Sequence, residues 1–333
     1  MRAVIIERPG SFRVDEVSEP QAGPGELLLQ VGACGICGTD LHILAGEFPL
    51  ARYPSIPGHE FAGSVLTVGE GVLGFREGDR VGVNPSVFCG ICRFCRYGRA
   101  NLCERGGGFG TSKPGAFAER VSVLAVNAYH LPDSLSFSEA AVIEPVSCAV
   151  HGMHRLAPRI GESVLIYGAG TMGLILAQLA RFYGARLVAL VDTNPARLER
   201  ARTFGFDVLG AGYDDLRELA PLGFENVIEA TGVTRVAEIA FQAVMRGGTL
   251  LLFGVCPPGE QARFEPFRIY NQEINVIGSM AVFNSYGPAL EIIAAGGVDA
   301  RRMVTHTFGL DAFAEALDTM RGGQGLKVQV LPG

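Results

Sequence analysis

Residues 163–184 read SVLIYGAGTMGLILAQLARFYG, an apolar run that enters a glycine-rich turn and leaves as an amphipathic stretch. A short apolar run without polar alternation is a strand covered on both faces, and a helix directly after it supplies one of those covers. This pattern admits few folds other than a parallel sheet wound with helices. It recurs downstream: the strands RLVALVD, NVIEATG, TLLLFG and INVIGS are expected between helices at about 171–183, 195–204 and 235–246.

The chain before residue 135 has another texture. AVIIE, ELLLQV, GHEFAGSVLTVG, DRVGV and AERVSV are short β segments divided by Gly and Pro, which reads as an all-β domain. A helical run begins at Ser138 and passes through Glu144 and His151, and after Pro288 two helical stretches and a strand, LKVQVL, return towards the first domain. At 333 residues two domains are expected, at about 150 residues each. A net charge of -6 with 48% hydrophobic and 19% charged residues excludes a disordered or collagen-like chain and argues against a nucleic-acid surface. Without an apolar run of about 20 residues or a basic-then-apolar start, no membrane partner is expected, and the chain reads as cytoplasmic.

In GAGTMG, Gly168 permits the tight turn, Gly170 lets a pyrophosphate approach the backbone, and Gly173 lets helix pack on strand, with Thr171 and Met172 opening the helix. Phosphates would meet unpaired amides at the positive helix end. Asp192 ends the next strand 24 residues after Gly168, where a carboxylate would bind adenosine ribose hydroxyls and repel a 2'-phosphate, so NAD is expected over NADP. Arg197 is a further cofactor-side candidate, although an exposed helical arginine explains it equally.

Cys89, Cys92, Cys95 and Cys103 form C-x2-C-x2-C-x7-C, four of the eight cysteines within fifteen residues. Four such thiolates surround one Zn2+ with no open position, hence a structural zinc; an iron–sulfur cluster is the rival ligand. Arg93, Arg96, Arg99 and Arg105 would let the same lobe meet nucleic-acid phosphate, but a sequence pI of 5.6 weighs against that. A second set is dispersed: Cys37 in ACGICGTDLH, His59 and Glu60 in IPGHEFAG, Glu144 in VIEPVSCAVH. Thiol, imidazole and carboxylate suit a zinc that keeps a place for water or substrate, although each residue alone is unremarkable. Cys34 with Cys37 spells C-x2-C, but nothing else resembles a redox fold.

Together, GHEFAG, the four-cysteine lobe, GAGTMG and CGICGTDLH, in that family's order, resemble the zinc-containing medium-chain dehydrogenase/reductases over essentially the whole chain. The resemblance implies a GroES-like β-rich catalytic domain at 1–145 with a zinc lobe at about 85–110, a Rossmann domain at 146–285, and a return at 286–333. It also implies a homo-oligomer, tetramer ahead of dimer, two zincs per subunit, and a small-molecule alcohol as partner. Cys37 and His59 match catalytic zinc ligands; Glu60 matches an acid binding the metal or sitting behind it; Glu144 stands where polyol and threonine dehydrogenases place Glu. Thr39 and His42 match a proton relay, and Lys327 a basic residue near the cofactor phosphates. The expected reaction interconverts a secondary alcohol, of the arabinitol, galactitol or sorbitol kind, and its ketone; threonine 3-dehydrogenase or a general secondary-alcohol dehydrogenase is the alternative. Sorbitol itself is disfavoured, because Ala281 and Val282 stand near the place of an Arg-Tyr pair; Phe283, Asn284 and Tyr286 are candidates to line a different pocket.

Overall fold

The longest strand of the first unit, β1 (Glu26–Gly35), is buried along most of its length, with Leu27, Leu29 and Val31 wholly buried. A computed structural model describes residues 1–333. After β1 come α1 (Gly38–Ala45), β2 (Glu60–Val68), β3 (Arg80–Val83), β4 (Arg120–Leu124), β5 (Ala128–His130) and α2 (Ile143–Leu156). The second unit holds β6 (Ser163–Tyr167), α3 (Thr171–Phe182), β7 (Leu187–Val191), α4 (Pro195–Thr203), β8 (Leu209–Gly210), β9 (Phe224–Glu229), α5 (Thr234–Gln242), β10 (Val244–Leu252) and β11 (Asn275–Gly278). The chain then returns through α6 (Tyr286–Ala294) to β12 (Val304–Gly309) and β13 (Lys327–Leu331). By contact the units are Met1–Ser147 with Val282–Gly333, and Cys148–Ala281.

In the first unit the sheet order is β12-β13-β1-β2-β3-β5, with β4 also paired to β1. Two registers matter most for function: antiparallel pairing sets Gly35 opposite Glu60, and Gln329 of β13 opposite Gly35. The loop at Ile36 and Cys37, the start of β2 and the start of β13 are thus brought to one end of the sheet, whose core includes Leu29, Phe61, Val81 and Val330.

The second unit is a six-stranded parallel sheet, ordered β8-β7-β6-β9-β10-β11. All five residues of β6 are buried, as its unbroken apolar pattern requires. α5 is shorter than the expected 235–246. Phe224 N donates to Ala243 O, Val244 pairs with Phe224, and Gly247 takes φ 74°, so sheet pairing overrides a helical pattern in AFQAVM.

Candidate active site

Cys37 caps the start of α1, and its backbone N–H donates to Asp40 Oδ2 at 2.8 Å. That bond caps the helix and fixes the sulfur at the end of β1. Glu60 begins β2 opposite Gly35, and a Cβ at Gly35 would lie 2.2 Å from Glu60 Oε2, so only glycine leaves room for the carboxylate. The metal-binding atoms of Cys37, His59 and Glu60 lie within 4.8 Å of one another, His59 and Glu60 buried and Cys37 partly so.

Asp40 is 2% exposed and holds this group from behind. Its Oδ1 lies 3.5 Å from His59 Nδ1 and accepts from Gly58 N at 3.3 Å. His59 Nδ1 is buried and completes no hydrogen bond. Burial alone favours the neutral ring, but Asp40, and then Cys37, outweigh it and hold the imidazole well above its ordinary pKa. A carboxylate behind a ligating imidazole fixes the ring's orientation. A thiol, an imidazole and a carboxylate converging in a partly dry pocket fit a zinc ion that keeps one place open.

Glu144, in the first turn of α2, is buried but lies outside this three-donor group; its charge acts on Lys327 and Tyr286. Thr39 lies within α1, its Oγ1 3.9 Å from Cys37 Sγ. His42 is exposed, with Nδ1 2.8 Å from Glu47 Oε2. Cys34 is fully buried, and burial pushes its thiol well up.

Lys327 begins β13 beside the zinc-type cluster. It is 4% exposed, and its Nζ donates to Glu60 Oε1 at 2.5 Å. β13 carries it to the zinc-type cluster, where Glu60, joined by Cys37 and Glu144, outweighs the burial that opposes an ammonium and raises its pKa. Tyr286 is 1% exposed and packs on Tyr129 at 4.9 Å, whereas Phe283 is half-buried and Asn284 exposed.

The four thiols of Cys89, Cys92, Cys95 and Cys103 also lie within 4.8 Å of one another. Sγ separations of 3.4 Å (Cys89–Cys103), 3.8 Å (Cys92–Cys103) and 4.0 Å (Cys89–Cys95) bracket the ~3.8 Å edge of a tetrahedron with Zn–S bonds of about 2.3 Å. Backbone N–H groups lower Cys92 to about 6, while burial and then its neighbours raise Cys95 to about 12.

In the second unit Gly170 caps α3 with nothing within 4 Å of where a Cβ would stand, whereas a Cβ on Gly173 would lie 1.7 Å from Gly168 O. Gly173 serves packing and Gly170 leaves open approach to the helix amides, the arrangement a pyrophosphate needs. Thr171 and Met172, half-buried, form the first turn. Asp192 is 9% exposed; Oδ2 accepts from Ala169 N at 2.9 Å and Oδ1 from Asn194 N at 2.8 Å, which ties the carboxylate to the glycine turn. Arg197, half-exposed, pairs with Asp192 at 3.4 Å.

A family model described as the alcohol dehydrogenase GroES-like domain matches residues 23–133, and one described as zinc-binding dehydrogenase matches 171–295. D-arabinitol dehydrogenase 1 of Uromyces fabae is 36% identical over 341 residues, covering 100% of this chain and 97% of that protein. The chain belongs to the zinc-binding alcohol dehydrogenase family. The dehydrogenase is also 32% identical to the L-threonine 3-dehydrogenase of Sinorhizobium medicae, over 98% of both chains. It superposes on a zinc-binding dehydrogenase of Sinorhizobium meliloti 1021 solved with NADP, with a TM-score of 0.95, 35% identity and 99% of each chain covered. It is a medium-chain dehydrogenase/reductase, a zinc-dependent alcohol dehydrogenase with a GroES-like unit and a Rossmann sheet. No helix of the dehydrogenase is long and apolar enough to cross a membrane.

Two functional positions escape a reading of the sequence alone. Asp40 stands three residues after Cys37, a spacing that signals a helix cap and so conceals its contact with His59. Gly35 is legible only once the β1–β2 register is known.

Proposed function

We propose that the enzyme oxidises a secondary alcohol within a polyol, reversibly, with NAD, and that Cys37, His59 and Glu60 hold the catalytic zinc. The observation that carries this is the convergence of those three unlike donors on one buried point with Asp40 behind them. A zinc ion there would supply Lewis acidity towards an alcohol oxygen, and an oxidised nicotinamide the hydride acceptor. The protein's own groups then bind, orient and move protons. Asp40 keeps the His59 ring turned to the metal. Thr39 accepts the hydroxyl proton at Oγ1 as its own hydroxyl proton passes on towards solvent. His42, whose Nδ1 is engaged by Glu47, receives a proton at Nε2 and, being exposed, releases it to water. Glu144, outside the three-donor group, adds negative charge beside the cluster rather than a fourth fixed ligand. Cys89, Cys92, Cys95 and Cys103 hold a second, structural zinc.

Two features support a polyol. A donor set containing carboxylate is harder than one of two thiolates and one imidazole, and tolerates an extra oxygen ligand such as a neighbouring hydroxyl. The Uromyces fabae relative is named for arabinitol. Full-length likeness to a threonine dehydrogenase favours a second reading. An absorbance assay of dinucleotide reduction across arabinitol, xylitol, galactitol, sorbitol, 2,3-butanediol, 2-propanol and threonine separates them: a polyol is expected to give the highest kcat/KM. Threonine ahead of every polyol sinks the reading.

For the cofactor, the tied carboxylate of Asp192 supports NAD. A phosphate charge about 6 Å from it costs about 3 kcal/mol at an effective dielectric of about 20, or about a hundredfold. Asp192→Asn is accordingly expected to shift the NAD to NADP ratio of kcat/KM by about that factor towards NADP, with Arg197 freed to meet the phosphate. The Sinorhizobium meliloti structure with NADP makes this the sharper test; an unchanged ratio refutes the assignment. The open outer edge of β11, which pairs only with β10, supports assembly with a second copy, and we read the enzyme as a cytoplasmic homo-oligomer, tetramer ahead of dimer, without a nucleic-acid partner.

A further inference from the structure

The sheet of the second unit runs outward in two directions from its middle, from β6 to β7 and β8 on one side and from β9 to β10 and β11 on the other. In a sheet wound this way the crevice for a ligand opens beyond the carboxyl ends of the two middle strands. Those ends lead into the glycine turn at Gly168 and the turn at residues 230–233.

Glu229, the last residue of β9, is wholly buried and pairs with no cation. A carboxylate withdrawn from water must be met by donors, and here all of them are local. Oε1 accepts from Thr231 N at 2.6 Å, from Gly232 N at 3.1 Å and from the Thr231 hydroxyl, while Thr231 Oγ1 accepts from Val233 N at 3.1 Å. Oε2 lies 3.3 Å from Gly232 N and 2.6 Å from where a Cβ on Gly254 would stand, so the loop after β10 passes it as glycine. The backbone carbonyl of Glu229 accepts from Phe253 N and Gly254 N. One residue therefore joins the loops after β9 and β10.

The joined turn adjoins the glycine turn. Ala230 N donates to Tyr167 O at 2.9 Å, and Thr231 Cγ2 stands 3.0 Å from where a Cβ on Gly168 would be. A turn by itself needs no more than an exposed Asp, Asn or Ser. A glutamate buried completely fixes the place of the turn as well as its shape.

We propose that Glu229 is a positioning residue for the dinucleotide: it holds the turn at residues 230–233 as the wall of the crevice opposite the glycine turn, without touching the dinucleotide itself. Asp192 follows β7, on the other side of β6, so the adenosine half and Glu229 belong to opposite sides of the crevice. This inference rests on the reading that the second unit binds a dinucleotide at Gly170 and Asp192.

Titration calorimetry of the zinc enzyme with NAD and with AMP, which carries the adenosine half alone, tests it. Glu229→Gln sets an amide donor against Gly232 N, and is expected to raise the Kd for NAD about tenfold and that for AMP less than about twofold. Equal rises for both ligands would show that Glu229 only stabilises the unit, and no rise would show that the turn needs no fixing; either overturns the proposal. A pair of variants at Thr231 keeps the test decisive if Glu229→Gln does not fold. Thr231→Ser retains the hydroxyl that meets Glu229 and is expected to bind NAD within about twofold of wild type, whereas Thr231→Val lacks it and is expected to bind about fivefold more weakly. Equal binding by the two, or the reverse order, overturns the proposal. Wild-type enzyme that binds neither NAD nor AMP overturns the dinucleotide reading, and this inference with it.

Discussion

Cys37→Ala and His59→Ala are each expected to lower kcat/KM for the preferred alcohol by about a thousandfold or more, while the dinucleotide Kd changes less than about twofold. Lewis-acid assistance to an alcohol is worth several kcal/mol, and each 1.36 kcal/mol is a factor of ten. Removing either donor leaves two of the three that converge, too few to hold zinc in a pocket that also carries the charges of Asp40, Glu60 and Lys327. The dinucleotide should be spared, because Gly168, Gly170, Gly173 and Asp192 belong to the second unit and their hydrogen bonds are made within it. Absorbance assays, fluorescence titration and metal analysis on the same preparations read all three quantities. A variant that has lost this zinc yet turns over at wild-type rate would remove the metal from the chemistry. A variant that loses dinucleotide binding as well would mean that the two centres are not separable.

Which parts of the molecule are legible in the sequence depends on how local their causes are. The strand, turn and helix of residues 163–184 are fixed by neighbours: the apolar run must be covered, and Gly173 must lack a side chain because Gly168 O occupies its place. The second unit is therefore readable as a parallel sheet from its residues alone. The cysteine lobe is legible for the same reason, with four ligands carried within fifteen residues. The cluster of Cys37, His59 and Glu60 is different. It is brought together by strand pairing, Gly35 against Glu60, and the spacing of the residues along the chain contains no trace of that register. Family resemblance, not periodicity, brings its members to notice. Lys327 is hidden from the sequence for the same reason: its bond to Glu60 is set by β13 pairing beside Gly35. α1 is hard to read because GTDLHILA is short, and its cap is a cysteine with an aspartate three residues on rather than the usual serine or threonine.

The other large effect belongs to the thiol lobe. Its helices, Arg93–Arg96 and Ala100–Leu102, contain no buried residue, and Ile91, Tyr97 and Leu102 are 60%, 75% and 42% exposed. A segment that buries almost nothing apolar cannot repay its own ordering entropy, so its shape depends on what the four sulfurs hold. Cys92→Ser is expected to release half of the bound zinc. It should also open the lobe to trypsin, for which Arg93, Arg96, Arg99 and Arg105 are ready sites, at least about tenfold faster than in the wild type. The core strands β1 and β2 do not pass through the lobe, so freshly prepared variant should keep dinucleotide binding and a measurable part of its turnover until the lobe is cut. Zinc analysis before and after, with timed digestion followed by mass spectrometry, checks each step. Full zinc content with unaltered protease resistance would show that the lobe is held by protein contacts alone. Immediate loss of all zinc and all turnover would show that the lobe and the Cys37 cluster stand or fall together, contrary to the separate roles their donors suggest.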